Sequence, residues 1–225
     1  MNKKVLIILV AMLCSLGVAA QDSLFHNHTY IGIKAGYNYG TASFGHALQR
    51  INIEEGYNSG IHVGLIGINY MEKNIGLQVE LNYTQKGWTQ LFDNNAPKFV
   101  TDLNYIEMPM YMNVYIGRKK TRMYFNLGIY AEYLVGVKAS TIPTDKQGYD
   151  FYPYDTSRDR KFGYGMIAGG GFYRDFSFGT ILIQGAFSYG ISNVLDPVTE
   201  DSGIPDLSNL LTSSVSIGYL IKLGK

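Results

Sequence analysis

Cysteine is nearly absent from this 225-residue chain, proline is scarce, and long hydrophobic runs occur in only one place. The single cysteine, Cys14, lies within the first 20 residues. The remainder therefore has no thiol for a disulfide, a nucleophile or a thiolate metal site. Six prolines stand against 26 glycines and 19 tyrosines.

The chain also lacks an excess of either charge. Its 19 basic residues nearly balance its 18 acidic residues, so the electrostatic footprint of a nucleic-acid-binding protein is missing. The mean hydropathy is −0.03 although 46% of the residues are hydrophobic. Without a second long apolar run, these values exclude a helical membrane protein. They fit a chain whose apolar residues are spread over alternate positions.

The one hydrophobic run belongs to the N-terminus. Residues 1–4 are basic, residues 5–18 are apolar, and the small residues Ala19 and Ala20 follow. This order predicts a secretory signal peptide over residues 1–20, cleaved after Ala20. The alternative is a retained anchor, although the run is short for a membrane span. We expect an N-terminal tail at residues 21–29 and one β-barrel domain at residues 30–225.

Apolar and polar residues alternate along most of this domain, which is the pattern of β-strands. The predicted strands are residues 30–40, 59–70, 75–86, 104–117, 122–137, 162–173, 178–192 and 213–223. Their connections alternate between long and short, because only the second, fourth and sixth are tight turns. This alternation predicts an all-β, eight-stranded antiparallel up-and-down transmembrane β-barrel, with short periplasmic turns and long extracellular loops.

The predicted strand 104–117 shows the two faces most clearly. Its even positions after Asn104 are all apolar, whereas its odd positions include Glu107 and Asn113. Successive side chains of a strand point to opposite faces of the sheet, so one face is lipophilic and the other is mixed. The outward aromatic residues also gather towards the ends of the strands, as in the aromatic girdles of membrane barrels. The rival is a soluble lipocalin-type barrel, which needs an apolar lumen and a charged exterior.

The less apolar face is expected to line a narrow lumen. An unpaired buried charge is costly, so its charged residues should pair inside the barrel. The predicted polar network consists of Lys34, Glu80, Lys86, Glu107 and Glu132. The network either fills the lumen structurally, as expected for eight strands, or forms a path for protons or cations.

Four segments, taken together and in this order, resemble the PorT-like outer-membrane β-barrel family. They are LQVELNYTQKG (77–87), YIEMP (105–109), GMIAGGG (165–171) and YGISNV (189–194). The resemblance spans nearly the whole chain after the signal peptide. It implies a small outer-membrane barrel of a Gram-negative bacterium and, through PorT itself, a link to protein secretion.

The third long loop contains the most distinctive surface segment, YDFYPYD at residues 149–155. Aromatic and acidic residues at a loop tip suit contact with a protein or a glycan. The predicted contact patch is Tyr149, Phe151, Tyr152 and Tyr154. The alternative is an ordinary outer loop whose rings pack on one another.

No catalytic, cofactor or metal site is predicted. His26 and His28 are too few ligands for a metal site, and His46 and His62 have no spacing that supports a Ser-His-Asp arrangement. We therefore expect a non-enzymatic outer-membrane protein that contacts lipid, binds no nucleic acid, and acts on a protein partner or extracellular ligand through its loops or rims. A channel for solutes or ions is the second hypothesis, and an enzyme acting on lipid or peptide is the third.

Overall fold

The computed structural model describes residues 28–45, 54–91, 99–117, 120–140, 152–196 and 206–223. The predicted signal peptide lies outside these ranges, as does most of the predicted tail. Among the residues described, no helix is long and apolar enough to cross a membrane.

The described residues form nine β-strands. Their bounds are β1 His28–Gly45, β2 Glu54–Gly56, β3 Asn58–Tyr70, β4 Ile75–Leu91, β5 Phe99–Ile116, β6 Thr121–Ala139, β7 Phe162–Phe176, β8 Gly179–Gly190 and β9 Leu207–Leu223. Every pairing between them is antiparallel.

Eight of the strands close into a ring. Sequential neighbours pair from β3 round to β9, and β9 pairs with β1, which in turn pairs with β3. The ninth strand, β2, is only three residues long and pairs with β4 beyond the end of β3. The prediction of an eight-stranded up-and-down barrel is confirmed, and β2 is a short extension of its wall.

The strands are longer than predicted at one end of the barrel. Strands β1, β4, β5 and β9 run on to Gly45, Leu91, Phe99 and Leu207, all on the side of the long connections. Residues in these extensions include Thr89 and Gln90, which pair with β5 but do not continue the apolar-polar alternation. The hydrogen-bonded ladder continues where the alternation stops, so a prediction from alternation ends the strands too early.

The two faces of the barrel wall have opposite chemistry. Large apolar side chains point outward, for example Ile33, which is 61% exposed, and Phe125, which is 53% exposed. Inward-facing polar side chains are buried, for example Glu80 at 1% exposed and Gln78 at 0%. A soluble lipocalin-type barrel requires the reverse arrangement, so that alternative is wrong.

Apolar clusters close the lumen near both ends. The short-turn cluster consists of Tyr30, Ile66, Ile68, Tyr70, Tyr124, Tyr173, Leu182 and Leu220, with Tyr115 packed against it. The long-loop cluster consists of Ala42, Trp88, Leu103, Tyr105, Leu134, Tyr152, Tyr154, Val194, Leu195 and Leu210. A polar layer lies between these two clusters.

Candidate functional site

The structure brings the five charged residues of the predicted network together in the lumen. Lys34 Nζ lies 2.6 Å from Glu80 Oε2. Lys86 Nζ donates to both Glu107 and Glu132, at 2.8 Å for Glu132 Oε2. All five side chains are buried. Two ammonium groups therefore face three carboxylates in a space without bulk water.

Two of the three carboxylates come from neighbouring strands, β5 and β6. Glu107 of β5 and Glu132 of β6 are directly opposite one another, and like charges in that position destabilise a sheet. Lys86 reaches both from β4 and also lies 4.5 Å from the centre of the Tyr130 ring. Tyr130 fits because Gly165 faces it, and a Cβ at Gly165 would lie 2.7 Å from that ring.

A second, neutral group joins the charged residues. Asn38 Nδ2 donates to Thr84 Oγ1 at 2.7 Å and to the carbonyl oxygen of Gln85 at 2.9 Å. A carbonyl only accepts, so the orientation of this amide is fixed and Asn38 Oδ1 accepts from His62 Nδ1 at 2.8 Å. Asn38 was not predicted as a site residue. Its inward position in β1 was the available signal, but spacing along one strand does not reveal partners on other strands.

Below the charges, Asn113 connects four other side chains. Its Nδ2 group contacts Gln78, Asn126 and Tyr173 at 2.8–3.1 Å, and its Oδ1 accepts from Tyr70 at 2.9 Å. Tyr70 and Tyr173 belong to the short-turn cluster. This amide layer thus links the charged layer to the apolar closure, and buried polar groups with satisfied partners favour one well-defined arrangement.

Very little open space remains in the polar layer. The cavity beside Lys34, His62, Lys86 and Glu107 has a volume of about 20 Å³, which is room for one water molecule. His62 Nε2 is buried and has no hydrogen-bond partner among the described residues. This nitrogen can accept from such a water, because the Nδ1 of the same ring already donates to Asn38.

The predicted contact patch in the third long loop is wrong for two of its four residues. Tyr152 is 4% exposed and Tyr154 is 8% exposed, and both belong to the long-loop cluster. They are buried because residues 152–160 fold onto the mouth, where the backbone N–H of Tyr152 donates to Gln90 Oε1 at 3.1 Å. The other two, Tyr149 and Phe151, lie outside the described residues, as does His46.

Charged residues fasten the third long loop to the fourth. Asp159 is buried, accepts from Arg158 at 2.7 Å, and accepts from the backbone N–H of Asp196 at 2.9 Å. Arg160 lies 3.1 Å from the Asp196 carboxylate. Near this contact, hydrogen bonds from Ser157 lower the pKa of the exposed Asp155. Burial raises the pKa of Tyr154 to about 12.

Across the described ranges, no group of three or more His, Cys, Asp or Glu side chains is arranged to hold a metal ion. His28 lies in β1 at the short-turn end, and His62 is committed to Asn38 within the lumen. The carboxylates of the polar layer are engaged with lysines and amides. Their arrangement suits a structural filling of the barrel.

A closed ring of eight strands with an apolar exterior and a polar, filled interior defines an outer-membrane β-barrel protein. A family model described as an outer membrane protein beta-barrel domain matches residues 19–196. The chain belongs to this family and is located in the outer membrane. Barrels of this class have short periplasmic turns and long extracellular loops, which assigns the two ends of this one.

Solved structures of similar fold come from several bacteria. OprG from Pseudomonas aeruginosa aligns with a TM-score of 0.54 at 11% identity, covering 89% of this chain and 99% of OprG. Ail of Yersinia pestis aligns with a TM-score of 0.44 at 14% identity, covering 86% of this chain and 99% of Ail. Neisserial surface protein A aligns with a TM-score of 0.44 at 10% identity, covering 85% of this chain and 96% of that protein. Comparison with curated proteins gave no match. The likeness to OprG concerns the fold alone.

Proposed function

We propose that this protein is a non-enzymatic surface protein of the outer membrane, which acts through its extracellular loops and rim on a protein partner or an extracellular ligand. The closed lumen carries this proposal. Apolar clusters fill both ends of the barrel, and the polar layer between them has room for about one water molecule. Since the interior is occupied by structural side chains, the surfaces that remain for recognition are the two rims.

The described part of the extracellular rim favours recognition because strand pairing and polar contacts hold it in one arrangement. The extended parts of β1 and β9 remain paired up to Gly45 and Leu207. One ion pair, Arg160 to Asp196, and one hydrogen bond, from the Asp196 backbone N–H to Asp159, join the third loop to the fourth loop. A surface that is ordered before binding loses less conformational entropy when a partner docks.

The resemblance to the PorT-like family suggests a finer role as an accessory to protein secretion. Under this proposal the partner is a protein of the envelope, and the loops or the periplasmic rim hold it near the barrel wall. The support is the set of four segments at residues 77–87, 105–109, 165–171 and 189–194.

A channel for small solutes or ions is the alternative proposal. The inward charges of Lys34, Lys86 and the three glutamates favour it, since charged rings line many pores. The ion pairs among them and the apolar closure oppose it. Recording from the purified protein in planar bilayers decides between the two, because steady single-channel conductance would support the channel and contradict the closed lumen.

The recognition proposal is tested by in-cell photocrosslinking from exposed loop positions. Thr156 and Ser157 are exposed in the third loop, whereas the buried Tyr152 and Tyr154 are unsuitable. A crosslinker at Lys120, which is exposed in a periplasmic turn, is the matched control. We expect mass spectrometry to identify a partner specific to the loop positions. Recovery of lipid and neighbouring copies alone from Thr156 and Ser157 would contradict a protein partner at this loop.

A further inference from the structure

A large cavity opens at the periplasmic mouth, away from the extracellular rim. It has a volume of about 620 Å³, within the range of small-molecule binding sites. We call it the periplasmic vestibule. Its lining includes Tyr30, Lys73, Tyr115, Arg122, Asp175 and Lys222.

The vestibule carries an excess of positive charge. Lys73, Arg122 and Lys222 line it together with a single carboxylate, Asp175. Asp175 is engaged by Arg122 Nη2 at 2.8 Å and by Thr180 Oγ1 at 2.7 Å. Within the ranges that the structure describes, no carboxylate lies within ion-pair distance of Lys73 or Lys222. Two lysines of the lining are thus without a counter-charge within the described part of the chain.

Arg122 is held rigidly at the base of the vestibule. Its guanidinium carbon lies 5.1–5.9 Å from the ring centres of Tyr30, Tyr115 and Tyr173. The side chain is 11% exposed, and its buried Nε–H has no hydrogen-bond partner among the described residues. Nη2 donates to both carboxylate oxygens of Asp175 and the Nε–H is buried, so Arg122 acts on an anion in the vestibule as a positive charge held in a fixed position.

The vestibule ends blindly inside the barrel. Beneath it, Tyr30, Ile68, Tyr70, Tyr173 and Leu220 pack together, and the space among them leaves no room for a water molecule. Anything that enters from the periplasm therefore stays at this end and does not pass through the lumen. This closure indicates a binding site, whereas a transport route would need an opening into the polar layer.

We propose that the periplasmic vestibule binds a phosphate group carried by a ligand of the periplasmic side. The two lysines supply two positive charges. A phosphate monoester carries about −1.5 to −2 at pH 7, and a phosphodiester headgroup carries a single negative charge. Arg122 adds a positive charge in a fixed position at the base, and the lysines act as point charges. The phosphate belongs either to a soluble metabolite or to the headgroup of a lipid in the inner leaflet of the outer membrane.

Binding of phenyl phosphate to the full-length mature protein in a zwitterionic detergent tests the proposal. The chain has six arginines, so the 15Nε–1H signals of the side chains are few enough to resolve, and Arg122→Lys assigns one of them. We expect a saturable shift of the Arg122 Nε–H signal. The double variant Lys73→Gln/Lys222→Gln should bind about tenfold more weakly, because each charge contributes through a short Coulombic contact.

Arg174→Gln is the matched control, since Arg174 is exposed on the same rim and contacts Thr121 and the Phe176 ring outside the vestibule. It should change the affinity less than twofold. Equal weakening by Arg174→Gln, or an Arg122 signal that stays fixed during the titration, would overturn the proposal. Phenyl phosphate binding in nanodiscs distinguishes the two sources. If nanodiscs of phosphatidylglycerol weaken this binding and nanodiscs of phosphatidylcholine do not, the site takes a lipid headgroup. If binding is undiminished in both kinds of nanodisc, the site takes a soluble phosphate.

Discussion

Replacement of Lys86 by methionine should strongly destabilise the barrel. Lys86 is the only cation that contacts Glu107 and Glu132 among the described residues. Methionine keeps most of the apolar length of the side chain but removes the ammonium group. The two carboxylates, which face each other directly across β5 and β6, then remain buried without a counter-charge.

The size of the effect follows from the geometry. At the 2.8 Å that separates Lys86 Nζ from Glu132 Oε2, the gross attraction is about 6 kcal/mol with an effective dielectric constant of about 20. Desolvation offsets much of this attraction in the native protein. Breaking a buried pair from one side nevertheless costs about 3–5 kcal/mol, because the remaining charge keeps its desolvation penalty. Since two carboxylates lose their partner, we expect the upper part of that range.

Reversible unfolding in lipid vesicles with a denaturant series measures this change in the free energy of unfolding. The comparison that isolates the charge effect is the triple variant Lys86→Met/Glu107→Gln/Glu132→Gln. Without any charge at the site, this variant should recover most of the lost stability, because neutral replacements of a buried ionic group are often close to neutral in energy. Lys34→Met and Lys34→Met/Glu80→Gln repeat the comparison at the other pair.

Two results would refute this reasoning. A loss below about 1 kcal/mol for Lys86→Met would show that the carboxylates find water or another partner, as exposed pairs do. A triple variant as unstable as the single variant would show that Lys86 acts by its packing on Tyr130 and not by its charge.

Three further predictions concern the wall and the extracellular mouth. Gly128→Ala should prevent correct barrel formation, because the new Cβ would lie 1.9 Å from the carbonyl oxygen of Met110. Loss of heat-modifiable gel mobility measures this. Gly185→Ala should be tolerated, because the nearest atom to its new Cβ is 4.0 Å away. Tyr152→Ala should lower the free energy of unfolding by about 3–5 kcal/mol by leaving a cavity, whereas Tyr57→Ala, at a residue 59% exposed, should cost less than about 1 kcal/mol. Burial raises the pKa of Tyr154 to about 12. Its contribution to loop packing should therefore be complete below the pKa of the unfolded state, about 10, and decline as the pH rises towards 12. Protease cleavage at Arg158 should increase over this range and should increase less in Tyr154→Phe, whereas cleavage independent of pH would contradict the prediction.

The barrel itself was predictable because its physical cause is local. Lipid on one side of the wall and a packed lumen on the other impose a period of two on every spanning strand. The inward positions of Lys34, Glu80 and Glu132 follow directly from that period. The end of β4 at Leu91 was not predictable in this way, because above the membrane neither face needs to be apolar.

The folding of the third loop onto the mouth was missed for a different reason. A run of aromatic residues between two strands has the same composition whether the rings face water or fill a cavity. What buries Tyr152 and Tyr154 is the space bounded by Trp88, Leu103 and Leu134, which comes from distant strands. The periplasmic vestibule was also invisible, since Lys73, Arg122 and Lys222 approach one another only when the ring is closed.

The pairing of the first strand with the last has a consequence for how the protein is made. Strand β1 is the first part of the barrel to be synthesised, and its partners on one side, from Thr29 opposite Leu223 to Gly45 opposite Leu207, belong to β9, the last strand of the ring. That edge of β1 stays unpaired until all the other strands of the ring have been exported. An open strand edge is a template for aggregation, and closure over so long a sequence separation is slow. Assembly therefore depends on something that shields this edge during transit, and a chain truncated before β9 would expose it permanently.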